Sequence, residues 1–179
     1  MTSIVFVEDS KLESISKFIL DLCRISEIDE RKLNIKGLSG SDCKHKSHIL
    51  VLNAGGVSPL LQNALEAIAV GGIIIMDSDE KNYAGLKLLK PVRLISYGYN
   101  PKSTITTSSI VVHDSISIQC CIQRKFDTLA GEILEPQEFL VCTDYAELSA
   151  GDILAGISVA MLCGASIEKI SHSFSTSIL

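Results

Sequence analysis

Asp77-Ser78-Asp79 follows directly on Ile73-Ile74-Ile75-Met76, a uniformly apolar run whose β-branched residues suit a strand covered on both faces of a parallel sheet. Open α/β sheets take their ligands at the carboxyl ends of such strands. Asp77 and Asp79 are therefore candidates to hold a hard cation or the hydroxyls of a sugar, both of which suit oxygen donors. A competing role is open to them. Asp-Ser-Asp-Glu ahead of a helix over Lys81–Leu89 is also a capping cluster favourable to the helix dipole. Asn53, Gly55 and Gly56 close a second apolar run, Ile49–Leu52, just before Ser58-Pro59 opens a helix. Strand, glycine pair and helix N-terminus make a plausible anion site. Glycine's commoner use in a tight packing turn competes with it. Lys11 follows a third run, Ile4–Val7, where a phosphate-binding loop would place its cation. That turn reads Glu8-Asp9-Ser10-Lys11, with no glycine to open the backbone and two carboxylates to repel a phosphate.

Other chemistries have weaker signatures. His45 and His48 are three residues apart, with no acidic or cysteine partner nearby to complete a metal site. The six cysteines show no CxxC or zinc-type spacing, and several sit inside apolar runs as small buried hydrophobes. No G-x-S-x-G elbow is present, and His113 and His172 stand far from any obvious nucleophile.

The elements that must position these residues follow from periodicity. Leu12, Ile15, Ile19 and Leu22 recur at helical spacing after the first strand, and a weak strand runs over Leu33–Leu38. Leu61, Leu65, Ile68 and Ala69 supply the buried stripe of the helix that Pro59 begins, and Gly71-Gly72 reads as the turn into the next strand. After Asn100-Pro101 the character changes. Thr104–Val112, Ser115–Gln123, Asp127–Ile133 and Glu138–Cys142 are short, imperfectly alternating segments, which predicts an antiparallel meander. An apolar helix over Ser149–Cys163, stopped by Gly164, and a last helix capped by Ser166 complete the chain. The fold class is α/β: a mostly parallel, Rossmann-like three-layer sheet with a small antiparallel part in its second half. Residues 1–179 read as a single domain, with residues 1–100 parallel α/β, 101–145 antiparallel and 146–179 the closing helices.

Composition narrows the partners. The net charge is −5 and Trp is absent, which argues against binding nucleic acid or an anionic membrane. No apolar run approaches the ~20 residues needed to span a bilayer, and the N-terminus has no secretory signal pattern. A reduced, cytoplasmic protein is the expectation.

The order of elements and three local patterns together resemble the central domain of the Mur ligases, the ATP-dependent enzymes that add amino acids to UDP-N-acetylmuramic acid. Gly71–Asp79 is similar to the family's glycine–glycine, apolar strand, Asn-x-Asp-Asp segment. Ile95-Ser96-Tyr97-Gly98 with Ser103–Thr106 resembles its step into the antiparallel sheet, and Asp152–Ala160 resembles its closing helix. On this resemblance Lys11 would be the phosphate-loop lysine, and Asp152 would replace the family's adenine-side asparagine. The departures are equally specific. The family's Gly-Thr-x-Gly-Lys-Thr loop falls on Val7–Leu12, where only the lysine is kept. The Asp and His expected after Asn53 are missing, and the family's His-Asn pair falls on Leu148-Ser149. No room is left between residues 25 and 49 for its carbamylated lysine, and the flanking UDP-binding and amino-acid-binding domains have no counterpart. Acyl-phosphate chemistry needs a held γ-phosphate, Mg²⁺ ligands and a positioned amine. The expectation is thus a catalytically degenerate Mur-ligase-like domain, a scaffold, regulator or partner-binding protein, with no certain cofactor beyond a possible residual ATP/Mg site. A protein partner or a second copy would meet it on an exposed apolar patch. The alternative is a nucleotide- or small-molecule-binding domain or enzyme using Lys11, Asn53, Gly55, Gly56, Asp77, Asp79 and Asp152 at the strand ends.

Overall fold

A computed structural model gives the fold and describes residues 1–7, 10–38, 46–53 and 59–173. Strands β1 (Thr2–Phe6), β2 (Leu33–Gly37), β3 (Ser47–Leu52), β4 (Ile68–Asp77) and β5 (Arg93–Tyr97) run parallel. Strand β6 (Ile105–Val112) joins β5 in parallel through Tyr97 and Ile105. Strands β7 (Ile116–Ile122) and β10 (Gln137–Thr143) then continue the sheet antiparallel, giving the order β10-β7-β6-β5-β4-β3-β1-β2. The antiparallel strands expected in the second half therefore extend the same eight-stranded sheet. The segment Asp127–Ile133 is mostly turn, bounded by the two-residue strands β8 (Phe126–Asp127) and β9 (Ile133–Leu134), which pair as a ribbon of their own.

Helices α1 (Leu12–Ile25), α3 (Ala150–Leu162) and α4 (Ile167–Ser173) cover one face, and α2 (Pro59–Ala67) lies on the other. The strand residues obey the two-sided rule. Ile49, Val51, Ile73 and Ile75 point into the larger core, while Leu50, Leu52 and Ile74 point into the smaller one. Helix α3 is buried from Asp152 through Leu162, which is why its sequence is apolar all round. It ends as the sequence indicates. Gly164 adopts φ 99°, and the Ala165 N–H donates to the Ala160 carbonyl at 2.9 Å.

Two local elements differ from the sequence expectation. Gly71-Gly72 lies inside β4 as a bulge, with Ser47 pairing Ile68 and the next pair being Ile49 with Ile73. Gly71 takes φ 75°, and a side chain on Gly72 would meet the Ala69 carbonyl at 2.9 Å. Helix α2 consequently stops at Ala67, and Ile68 is buried as a strand residue. The Lys90 ammonium meets the carbonyls of Glu66 and Ile68 where that helix ends. The helix expected over Lys81–Leu89 is only a 3-10 turn, Lys81–Gly85.

Candidate functional site

Helix α1 begins at Leu12, with Lys11 as the flanking residue and no side-chain cap. Lysine carries no acceptor and cannot cap, and the Lys11 ammonium donates instead to Asp152 Oδ2 at 3.1 Å. Asp152 is held there by the start of α3. Ser149 and Asp152 form a capping box in which the Ser149 N–H and Oγ–H both donate to Asp152 Oδ2 at 2.7 Å. Asp152 Oδ1 accepts from Asn53 Nδ2 at 2.8 Å, and Asn53 Oδ1 accepts from the Tyr97 phenol at 2.6 Å. One chain of hydrogen bonds thus ties the β1–α1 turn, the ends of β3 and β5 and the first turn of α3. Asp152, Asn53 and Tyr97 are buried, while the Lys11 side chain is 40% exposed. Burial alone would raise the Asp152 carboxyl. The hydrogen bonds from Ser149, Asn53 and Lys11 outweigh it and hold the group below the usual carboxylate range.

The carboxylates after β4 do something else. Asp79 accepts from the backbone N–H groups of Tyr99 and Asn100, clamping the turn beyond β5, and the Asp79 N–H donates to Asp77 Oδ1 at 2.8 Å. Gly98 makes the clamp possible, since a side chain there would come within 2.5 Å of Asp79 Oδ2. Ser78 Oγ bonds Ser103 Oγ at 2.5 Å. Capping of the 3-10 turn falls to Glu80, whose side chain accepts from Asn82 N at 3.0 Å, and Asp77 and Asp79 take no part in it. Burial pushes the Tyr99 phenol up, and the negative charges of Asp79, Asp77 and Asp152 add to the shift.

Lys11, Asn53 and Asp152 are therefore brought together, while Asp77 and Asp79 are bonded to one another and Asp79 to the turn beyond β5. Gly55 and Gly56 lie outside the described residues, as do Glu8, Asp9 and His45. Tyr97 joins the site although no catalytic or binding motif marks it. A tyrosine ending an apolar strand is a signal available in the sequence, because a buried phenol needs a hydrogen-bond partner. His48 Nδ1 accepts from the Ser3 N–H at 3.2 Å, a contact between neighbouring strands.

A magnesium–triphosphate group does not fit these residues as they stand. The Lys11 ammonium is already on a carboxylate, and both Asp79 oxygens are taken by backbone donors. Among the described residues no three His, Cys, Asp or Glu groups converge to hold a metal ion.

Asp77 is pushed up chiefly by burial and then by Asp79 and Glu80, against the hydrogen bond from the Asp79 N–H. A carboxyl raised in the fold binds its proton more tightly there than in the unfolded chain. Its charge therefore costs stability at neutral pH, and the cost vanishes as pH falls below the usual carboxylate range. Asp77→Asn, which keeps an acceptor for the Asp79 N–H, is expected to raise the melting temperature at neutral pH. The gain should fade by about pH 3. A lower melting temperature at neutral pH would show that the carboxylate is needed.

No family model matches the sequence, and no curated protein does. Solved structures do. MurF from Acinetobacter baumannii superposes with TM-score 0.61 at 11% identity over 95% of this chain and 44% of its own. The MurF ligase from Thermotoga maritima in complex with ADP gives 0.62 at 8% identity over 96% and 48%. The murein peptide ligase from Psychrobacter arcticus gives 0.61 at 12% identity over 97% and 46%. The chain spans about half the length of these enzymes. Over nearly all of its described length it has the fold of the Mur ligases.

Proposed function

We propose that this chain is a non-catalytic protein built on the Mur-ligase fold, a scaffold that binds a protein partner. The observation that carries the reading is the state of the crevice. The lysine that could meet a phosphate is paired with Asp152, the Asn53 amide serves the same carboxylate, and Asp79 is spent on backbone. Acyl-phosphate chemistry needs a held γ-phosphate and its metal, and these groups are engaged in holding the fold. A partner surface is supported at the opposite end of the sheet. Val70, Leu88, Leu89 and Leu94 are exposed, and the Gly71 N–H donates to the Pro91 carbonyl at 2.9 Å, which ties the strand after Val70 to the segment after Leu89. The five described cysteines are all free, and burial pushes Cys23 and Cys163 up to about 12, which fits a reducing cytoplasm. A partner of this kind would be another lobe of the same fold, or a second copy of the chain, in cell-wall peptide ligation.

The test is melting temperature with Mg·ATP, Mg·ADP, UDP-N-acetylmuramic acid and UMP. A ligand at about a hundred-fold over Kd stabilises by ~2.7 kcal/mol if it binds only the folded state. No shift with any of them is expected. A shift with a nucleotide would replace this reading with the alternative, a nucleotide-binding crevice. Val70→Asp combined with Leu89→Asp should then abolish association with any partner that the unaltered chain captures.

A further inference from the structure

The second face of the sheet carries a cavity that shares no lining residue with the Lys11–Asn53–Asp152 network. It has a volume of about 380 Å³, inside the range of about 300–1,000 Å³ usual for small-ligand sites. Its floor is Val5 of β1 and Leu50 of β3, its wall is Ala64 and Ala67 of α2, and its rim carries Lys36, Lys46 and His48. On this face α2 packs over β3 and β4, and among the described residues no helix covers β1 and β2.

The charge of the lining is opposite to that of the chain. The protein has 21 acidic against 16 basic residues, yet among the described residues no Asp or Glu lines this cavity and two lysines do. Neither lysine has an ion-pair partner among the described residues. His48 adds a third donor. Its Nδ1 accepts from the Ser3 N–H at 3.2 Å, so the neutral ring carries its proton on Nε2. Small alanines on α2 leave room for a body, and the donors sit at the mouth. An apolar floor with cationic donors at the rim suits a molecule with an apolar body and one anionic end.

We infer that this cavity binds a small organic anion with an apolar body, such as a medium-chain carboxylate, its tail on Val5, Leu50, Ala64 and Ala67 and its anionic end at Lys36 and Lys46. The site is independent of the crevice, so it stands whether or not the crevice binds nucleotide. The probe is octanoate, followed by NMR shifts of the Val5, Leu50, Ala64 and Ala67 methyl groups, with octanol and acetate as comparisons. Octanoate should bind at least about tenfold more tightly than either, since one lacks the charge and the other the body. Lys36→Gln with Lys46→Gln should weaken octanoate by about fivefold or more and flatten its dependence on salt. Ala67→Phe should fill the cavity and abolish binding. The lysine variant changes only exposed side chains, so it decides the matter even if Ala67→Phe does not fold. Equal binding of octanoate and octanol, or octanoate binding indifferent to both lysines, would overturn the inference. So would binding that appears only after residues 39–45 are replaced by a glycine–serine linker.

Discussion

Asp152→Ala is expected to destabilise the fold by about 2–4 kcal/mol, read from the urea midpoint and slope. The figure comes from the two losses the geometry makes unavoidable. Asn53 is buried, and its Nδ2 would lose the acceptor it reaches at 2.8 Å, a desolvation cost of about 1–3 kcal/mol. The capping box at the head of α3 would lose its carboxylate, worth about 1 kcal/mol more. Lys11 adds little, because its side chain is 40% exposed and can return to water. Asp152→Asn keeps an acceptor and the volume, so it should cost about half as much. Its pH dependence separates charge from shape. The Asp152 carboxyl lies below the usual range in the fold, held there against burial by Ser149, Asn53 and Lys11. A depressed carboxyl contributes its full stability above the unfolded value and loses it as pH falls through the folded one. The gap between the unaltered protein and Asp152→Asn should therefore be constant at neutral pH and close below about pH 4. A gap that stays open in acid would mean that the charge on Asp152 contributes nothing, and the polar crevice would be held by shape alone.

This network also marks where local reading stops. Each of its members stands in a recognisable place: Lys11 after the first strand, Asn53 after the third, Asp152 in the first turn of an apolar helix. The pairing of Lys11 with Asp152 spans 141 residues of sequence, and no spacing rule reports on a contact so remote. A lysine after a strand can serve a phosphate or an internal carboxylate, and only the tertiary arrangement decides between them. The buried strands were legible because a fully covered parallel strand must be apolar on both sides, as Ile49–Leu52 and Ile73–Ile75 are. Both ends of α3 were legible because Ser149 and Gly164 satisfy the backbone groups that a helix leaves unpaired. Gly71-Gly72 was not, since a positive φ serves a turn and a bulge alike. The short alternating segments after Asn100 could announce antiparallel pairing. That they extend the main sheet rests on the Tyr97–Ile105 pairing, which local sequence does not encode.

Phe18→Ala should cost about 3–5 kcal/mol, the range for removing a buried aromatic, and its interplay with Gly156 is the sharper test. Phe18 is 1% exposed on α1 and stands edge-on to Tyr145, with ring centroids 5.6 Å apart. Gly156 lies at the middle of α3 directly beneath that ring. A Cβ built on it would sit 2.7 Å from Phe18 Cδ1 and 3.0 Å from Cε1. Glycine inside a helix normally costs roughly 0.5–1 kcal/mol against alanine, so this one persists because it lets α1 and α3 close together. In the unaltered protein, Gly156→Ala must push a ring that Tyr145 holds in place, and overpacking of about 1–3 kcal/mol outweighs the helical gain. With Phe18 already truncated the space is open, and the same Gly156→Ala change should stabilise by up to about 1 kcal/mol. The sign of one substitution is thus expected to reverse with the identity of a residue on another helix, a coupling that a double-mutant cycle measures directly. If Gly156→Ala destabilises equally in both backgrounds, the ring is not what the glycine accommodates. The close approach of α1 to α3 would then rest on the backbone of α3 itself.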